Sequence, residues 1–394
     1  VAPHFSRSKG KFKMIYVVIG ANYGDEGKGN IVSYLAEKHK ASAPIVIRHN
    51  GGSQAQHRVV YNGDEFIFGH IGSGTFSDAP TFLSKYFITN PLILKKEYDE
   101  LIKKKSPTIY VDANSRVTTI YDMFYNQHHA NMKKHGTCGL GVKATIDRHE
   151  VIPLTVGDII NLPQKNLVLI IKDIYKYYHQ KMNFEKFDDK IFSEMFNYNY
   201  EEHAIDLSKI LTAITKCLFD DTQIRKVLDS RKVKIFEGAQ GLMLNQNNFS
   251  EFPHVTPSNT GIVNAERIIL KHIPGSKIEY IFVTRSYLTR HGNGTFNENA
   301  LPETVYDLSN KNNEFQGALR FGAMNTIEFN QFKIRVIDEL DRSISAGNWD
   351  IDINVATTHL DQIPNEELKE ISKYISMGPS YKDVYARCYT WRKI

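Results

Sequence analysis

Asp25 and Lys28 sit inside a glycine-rich run, Gly20-Ala-Asn-Tyr-Gly-Asp-Glu-Gly-Lys-Gly-Asn30. Glycines let bare backbone N–H groups approach phosphate oxygens, and a lysine adds a compact positive charge. Asp25 and Glu26 do not belong in an ordinary anion cradle. A carboxylate there calls for a metal ion or for a proton that must be removed. The Walker pattern of Gly, four residues and Gly-Lys-Ser/Thr fails, because Asn22 and Gly29 occupy two of its fixed positions. The loop therefore reads as a nucleotide loop of another kind, or as a plain glycine turn carrying a solvated acidic pair.

Other chemistry-bearing residues recur in loops. Arg48-His-Asn-Gly-Gly-Ser-Gln-Ala-Gln-His57 joins two glycines, several amides and His57, which reads as a site histidine or as a surface loop histidine. Gly136-Thr-Cys-Gly-Leu-Gly141 is a second glycine-rich loop, and Glu237-Gly-Ala-Gln-Gly241 a third. Asn293 and Thr295 follow Thr289-Arg290, and Phe315-Gln-Gly-Ala-Leu-Arg-Phe-Gly322 carries a single cation, Arg320.

Elements able to hold these loops precede them. Strand-like segments at Met14–Ile19 and Ile45–Ile47, both apolar, and at Val233–Phe236, Ile278–Val283 and Ile351–Ala356 each empty into a Gly- or amide-rich loop. Site loops collect at the carboxyl ends of parallel strands. Ile31 and Leu35 start a helix after the first loop, and Leu92–Lys105 has helical spacing. Residues 160–230 carry few glycines and helical periods such as Ile210, Ile214 and Leu218, which predicts a helical excursion. The expected fold is α/β: a large, mostly parallel central sheet flanked by helices, P-loop-NTPase-like, in a single domain over residues 14–394.

The chain of 394 residues, 41% hydrophobic, is ample for a large core. Its net charge of +5 suits anionic small substrates, and without a long Lys/Arg run it argues against nucleic acid as partner. Cys138, Cys217 and Cys388 are far apart and make no disulfide or zinc pattern, so a cytoplasmic setting is expected. No apolar run reaches the ~18 residues of a membrane span. Residues 1–13 are polar and basic, expected as a tag or disordered leader ahead of Met14.

Taken together, Gly24-Asp-Glu-Gly-Lys-Gly29, Asn50-Gly-Gly with His57, Gly136-Thr137, Phe236-Glu-Gly-Ala-Gln-Gly241, Val255-Thr with Ser258-Asn-Thr260, Thr289-Arg290 with Gly292, Thr358 with Leu360-Asp361 and Gly378-Pro379 resemble the adenylosuccinate synthetase family. The likeness spans nearly the whole chain from Met14. It implies a C–N ligase that joins aspartate to C6 of a purine 5′-monophosphate after phosphorylating the C6 oxygen, which turns a poor leaving group into a good one. It implies Asp25 as base and Mg²⁺ ligand, His57 as acid, Gln240 on the purine edge, and Gly27, Lys28 and Gly29 on the phosphates. The Gln56 carbonyl would be a second metal ligand. Asp361, Gly378 and Pro379 would hold the phosphate donor. Gln54, Thr137, Cys138 and Thr256 would hold the monophosphate. It further implies a homodimer in which Arg148 reaches the partner's nucleotide, with Arg320 and Thr295 on the aspartate substrate.

Departures from the family pattern point toward its phage-encoded 2-aminoadenylosuccinate synthetase branch. Ser33 stands where the family carries an acid, and the basic aspartate-binding loop shrinks to Gln316-Gly-Ala-Leu-Arg320. The loss of an arginine that reaches the ribose 2′-hydroxyl, and a small hydroxyl near the purine, favour dGMP. Ser33 as a drifted exposed helix position in an enzyme using IMP and GTP is the alternative. His359 replaces the lysine that lies along a guanine face, so ATP is the expected donor, with dATP or GTP open.

Overall fold

The computed structural model describes residues 13–129, 138–185, 187–298, 318–344 and 349–388, together with 301, 302, 305 and 307. Most of the expected leader and Thr137 therefore lie outside the described residues.

The strands are β1 (Met14–Gly20), β2 (Ile45–Arg48), β3 (His57–Tyr61), β4 (Asp64–Phe68), β5 (Thr81–Leu83), β6 (Ile109–Asp112), β7 (Lys216–Leu218), β8 (Val233–Gly241), β9 (Lys277–Arg285), β10 (Tyr287–Arg290), β11 (Arg320–Ala323), β12 (Ile351–Thr358), β13 (Ser372–Ser376) and β14 (Val384–Ala386). Ten form one sheet in the order β14-β13-β12-β9-β1-β8-β2-β5-β6-β7. All its pairings are parallel except that of β13 with β14. This is the expected large, mostly parallel sheet.

β1 lies between β8 and β9 near the middle of the sheet. Ile15, Val17 and Ile19 enter the core on one face, and Tyr16 and Val18 the core on the other. Burial on both faces explains why the strand reads as a continuous apolar run instead of an alternating one. Each such buried aliphatic side chain contributes about 1.5–3 kcal/mol, which anchors the loop that follows.

Helix α1 (Lys28–Lys38) starts as soon as that loop ends. Helices Gln164–Phe184, Asp189–Phe196 and Tyr200–Ile214 pack in a separate apolar cluster with Leu167, Ile171, Leu207 and Leu211 at its centre. Within the predicted helical stretch, Lys216–Leu218 instead forms edge strand β7. Among the described residues no helix is long and apolar enough to cross a membrane.

Candidate active site

The β1–α1 loop turns through left-handed backbone at Gly24, Asp25 and Gly27. Glu26 points inward and is buried. Its carboxylate accepts from the N–H groups of Asn22 at 3.0 Å and Gly24 at 2.8 Å, and from Lys28 Nζ at 2.6 Å. A Cβ at Gly20 or at Gly241 would collide with that carboxylate, so both glycines are required by its close approach. Glu26 is thus the internal brace of the loop, not a solvated acid, and it holds the Lys28 charge. Asp25 lines the cleft, with His291 Nε2 3.3 Å from its carboxylate.

His57 opens β3 of a hairpin closed by Asn62-Gly63, both at positive φ. An Asn-Gly pair between two runs is the signature of such a turn, and that signal in Tyr61-Asn-Gly-Asp64 was available in the sequence. His57 Nδ1 lies 2.6 Å from Glu237 Oε1, on β8. Glu237 also accepts from the Ser73 N–H at 3.1 Å and from the Ser73 hydroxyl, and Arg48 Nη1 lies 3.5 Å away. Burial works to raise the Glu237 pKa, but Arg48, His57 and Ser73 outweigh it and hold the carboxyl at about 2. Burial pulls the His57 pKa down, opposed by Glu237. With Glu237 ionised, the neutral ring carries its proton on Nδ1 and leaves Nε2 open. Phosphate groups arriving in the cleft would favour the imidazolium, which has Nε2–H to give. Glu237 was visible in its motif, and the alternation along β8 puts it on the face opposite Phe236.

Gln240 has a φ of 61°. It falls where the β1–β8 register shifts between Val18 and Gly20, and such irregularities re-aim side chains. Its Oε1 is buried without a partner among the described residues, as are both polar atoms of the Gln54 amide. Unpaired buried amide atoms are costly unless a ligand completes them.

These groups share one cleft of about 350 Å³. Asp25, Gln54, Gln56, His57 and Gln240 line it, and Gly27, Lys28, Gly29, Asp361, Gly378 and Pro379 continue the wall. The Thr358 hydroxyl donates to the Glu26 carbonyl at 2.8 Å, tying the end of β12 to the loop. His359 is pushed well below its usual pKa by burial and by Arg285, so it enters this wall as a neutral ring. Among the described residues no three His, Cys, Asp or Glu converge on a metal position. Asp25 and Gln56 both line the cleft, and a carboxylate with a backbone carbonyl is the kind of donor set that suits Mg²⁺, which takes one or two protein ligands and completes its shell with phosphate and water.

The structure separates other expected residues from the cleft. Arg148 is buried, with Nη2 on Asp122 at 2.9 Å and on the Val117 carbonyl at 2.6 Å, and Nη1 on the Ile152 carbonyl at 3.1 Å. Within this chain it ties helix Val142–His149 to Asp122 and to the Val117 and Ile152 carbonyls. Arg148→Ala should lower the unfolding free energy by ~3–5 kcal/mol, the cost of stranding a buried charge. Denaturant titration checks this. Arg320 donates to the carbonyls of Gly292 at 2.7 Å and Gly294 at 3.1 Å. It braces the β10–β11 connection and does not line the cleft. Thr295 is exposed there, its carbonyl accepting from Arg290 at 2.8 Å. Thr256 is buried and not among the lining residues, its N–H on the Leu244 carbonyl at 2.8 Å. Cys138 also lies off the cleft wall, its thiol pKa raised by burial. Ser33 is fully buried on α1 and so is not an exposed helix position; its hydroxyl has no partner among the described residues, and it is not among the residues lining the cleft.

The family model described as adenylosuccinate synthetase matches residues 17–320. The chain belongs to the adenylosuccinate synthetase family. It is a C–N ligase of that family, whose members generally depend on GTP and Mg²⁺. It is 28% identical over 397 residues to the adenylosuccinate synthetase of Borrelia turicatae, covering 95% of this chain and 83% of that one. The Buchnera aphidicola enzyme is 28% identical over 386 residues, covering 93% and 80%. Two solved structures share the fold. Fully ligated Plasmodium falciparum adenylosuccinate synthetase has a TM-score of 0.66 at 17% identity, covering 96% of this chain and 100% of that one. Cyanophage S-2L succinoaminodeoxyadenylate synthetase, bound to dGMP and dATP, has a TM-score of 0.63 at 16% identity, covering 95% of each.

Proposed function

We propose that this adenylosuccinate synthetase family ligase joins L-aspartate to C6 of dGMP through a 6-phosphoryl intermediate, giving 2-amino-2′-deoxyadenylosuccinate. The reaction is carried by one arrangement: Asp25 and the His57–Glu237 pair open onto the same cleft as the partnerless Gln240 amide oxygen. Asp25 takes the N1 proton as the C6 oxygen attacks the donor's terminal phosphoryl group. His57 gives a hydrogen bond from Nε2 to the oxygen being phosphorylated, with Glu237 stabilising the imidazolium. Asp25 and the Gln56 carbonyl would hold Mg²⁺, which neutralises phosphate charge. Lys28 would exchange Glu26 for phosphate oxygens.

The dGMP reading is supported by Ser33, a small buried side chain with a free hydroxyl where the family pattern has an acid. It is also supported by the likeness in fold to a dGMP-bound ligase. ATP is proposed as donor beside the neutral His359. The opposite reading, IMP with GTP, is favoured by the curated relatives, which are ordinary adenylosuccinate synthetases. The family's homodimer is proposed as well.

Initial phosphate-release rates for dGMP, GMP and IMP, each with ATP and with GTP, test base, sugar and donor together. The proposal expects dGMP with ATP to be fastest; turnover confined to IMP would replace it. Ser33→Asp should cut the dGMP-to-IMP ratio of kcat/KM by ~10-fold, the effect of about 1.4 kcal/mol of differential binding.

A further inference from the structure

We infer that Arg285 is the positioning residue for the base: it fixes the Asp25 backbone in its left-handed conformation and so aims the Asp25 carboxylate into the cleft. The inference rests on the reading of Asp25 as base. Asp25 is a non-glycine residue at a φ of 60°. Such a conformation persists only where the surroundings over-determine it.

Arg285 supplies that constraint. It ends β9, next to β1, with Val283 opposite Gly20 and Arg285 itself opposite Thr358 of β12. Its Nε donates to the Asp25 carbonyl. Nη1 donates to the Tyr287 hydroxyl at 3.0 Å, and Nη2 to Asp307 Oδ2 at 2.9 Å. The guanidinium side chain is only 5% exposed and packs against the Tyr287 ring at 5.4 Å. A planar fork held at two other corners presents its third donor in one direction. The peptide plane of Asp25 is thereby set, and with it the Cα–Cβ direction. Glu26 braces the neighbouring N–H groups of the loop but none of its bonds reaches Asp25. Arg285 acts on the base through its backbone.

The test uses the full chain and whichever monophosphate, dGMP or IMP, the wild type turns over, so a wrong purine assignment leaves it intact. Asp25→Asn is measured first; wild-type turnover there would remove the underlying reading, separately from Arg285. Arg285→Gln is expected to lower kcat by ~10²-fold, the scale of an ångström-level misplacement, with KM for the monophosphate within about threefold. Arg285→Lys, which keeps charge and one donor, should recover at least ~10-fold of that loss. Asp307→Asn, which loosens the fork without removing it, should lose ~10-fold in kcat. A kcat for Arg285→Gln within about threefold of wild type overturns the inference. So does a rise in KM at unchanged kcat, which would make Arg285 a direct substrate contact.

Discussion

Asp25→Asn should lower kcat by ~10³-fold or more, at the upper part of the range for a positioned acid–base group. It should leave thermal stability within ~1 kcal/mol of wild type. The amide has the size of the carboxylate but can neither accept the N1 proton nor ligate Mg²⁺ strongly. The side chain is a quarter exposed, at 27%, and its neighbour in range is His291 at 3.3 Å, so the fold does not depend on its charge. Both defects act at the phosphorylation step. The measurement is the burst of nucleoside diphosphate and the steady-state rate at saturating substrates, with circular dichroism melts alongside. A loss confined to KM would mean that Asp25 only binds.

Glu237→Gln carries the second large effect, and it acts on activity and stability together. The amide cannot offset an imidazolium at His57, so kcat should fall by ~10²-fold or more. It also leaves the fully buried Arg48, whose three guanidinium nitrogens make no hydrogen bond among the described residues, without its counter-charge. That should cost about 3–5 kcal/mol at neutral pH. The sign of the pH dependence follows from the depressed carboxyl, near 2 in the fold against an ordinary 4.5. Its stabilisation is complete above pH ~4.5 and disappears as pH falls toward ~2. The stability gap between wild type and Glu237→Gln should therefore narrow with acid across that window. A gap independent of pH would show that Glu237 contributes by shape and not by charge.

What could be read from the sequence divides along physical lines. The sheet was legible because β1 and β2 are buried on both faces and write continuous apolar runs, while β8, β9 and β12 keep strand-type apolar residues around Lys234, Glu279, Asp352 and Asn354. Asp25, Gln54, Gln56, His57 and Gln240 were legible because local motifs carry them, and the structure brings all five to one cleft. The inward turn of Glu26 was not legible, since it depends on Gly20 and Gly241 lying against it across the β1–β8 seam. Nor was the Glu237 partnership with His57, which joins residues 180 apart. Arg148 and Arg320 each make contacts that the sequence does not announce. An arginine's type says that it will find acceptors, and its position in the chain does not say whether those acceptors are substrate or its own fold. Arg148 found Asp122, and Arg320 found the carbonyls of Gly292 and Gly294.

The account's central claim is that the C6 oxygen of the purine leaves as phosphate. It is tested most directly by incubating the enzyme with dGMP labelled with ¹⁸O at C6, L-aspartate, ATP and Mg²⁺, and measuring the isotope in the products by mass spectrometry. The account predicts one ¹⁸O per released inorganic phosphate and none in the succinylated purine. Unlabelled phosphate, with the ¹⁸O retained on the purine, would contradict it.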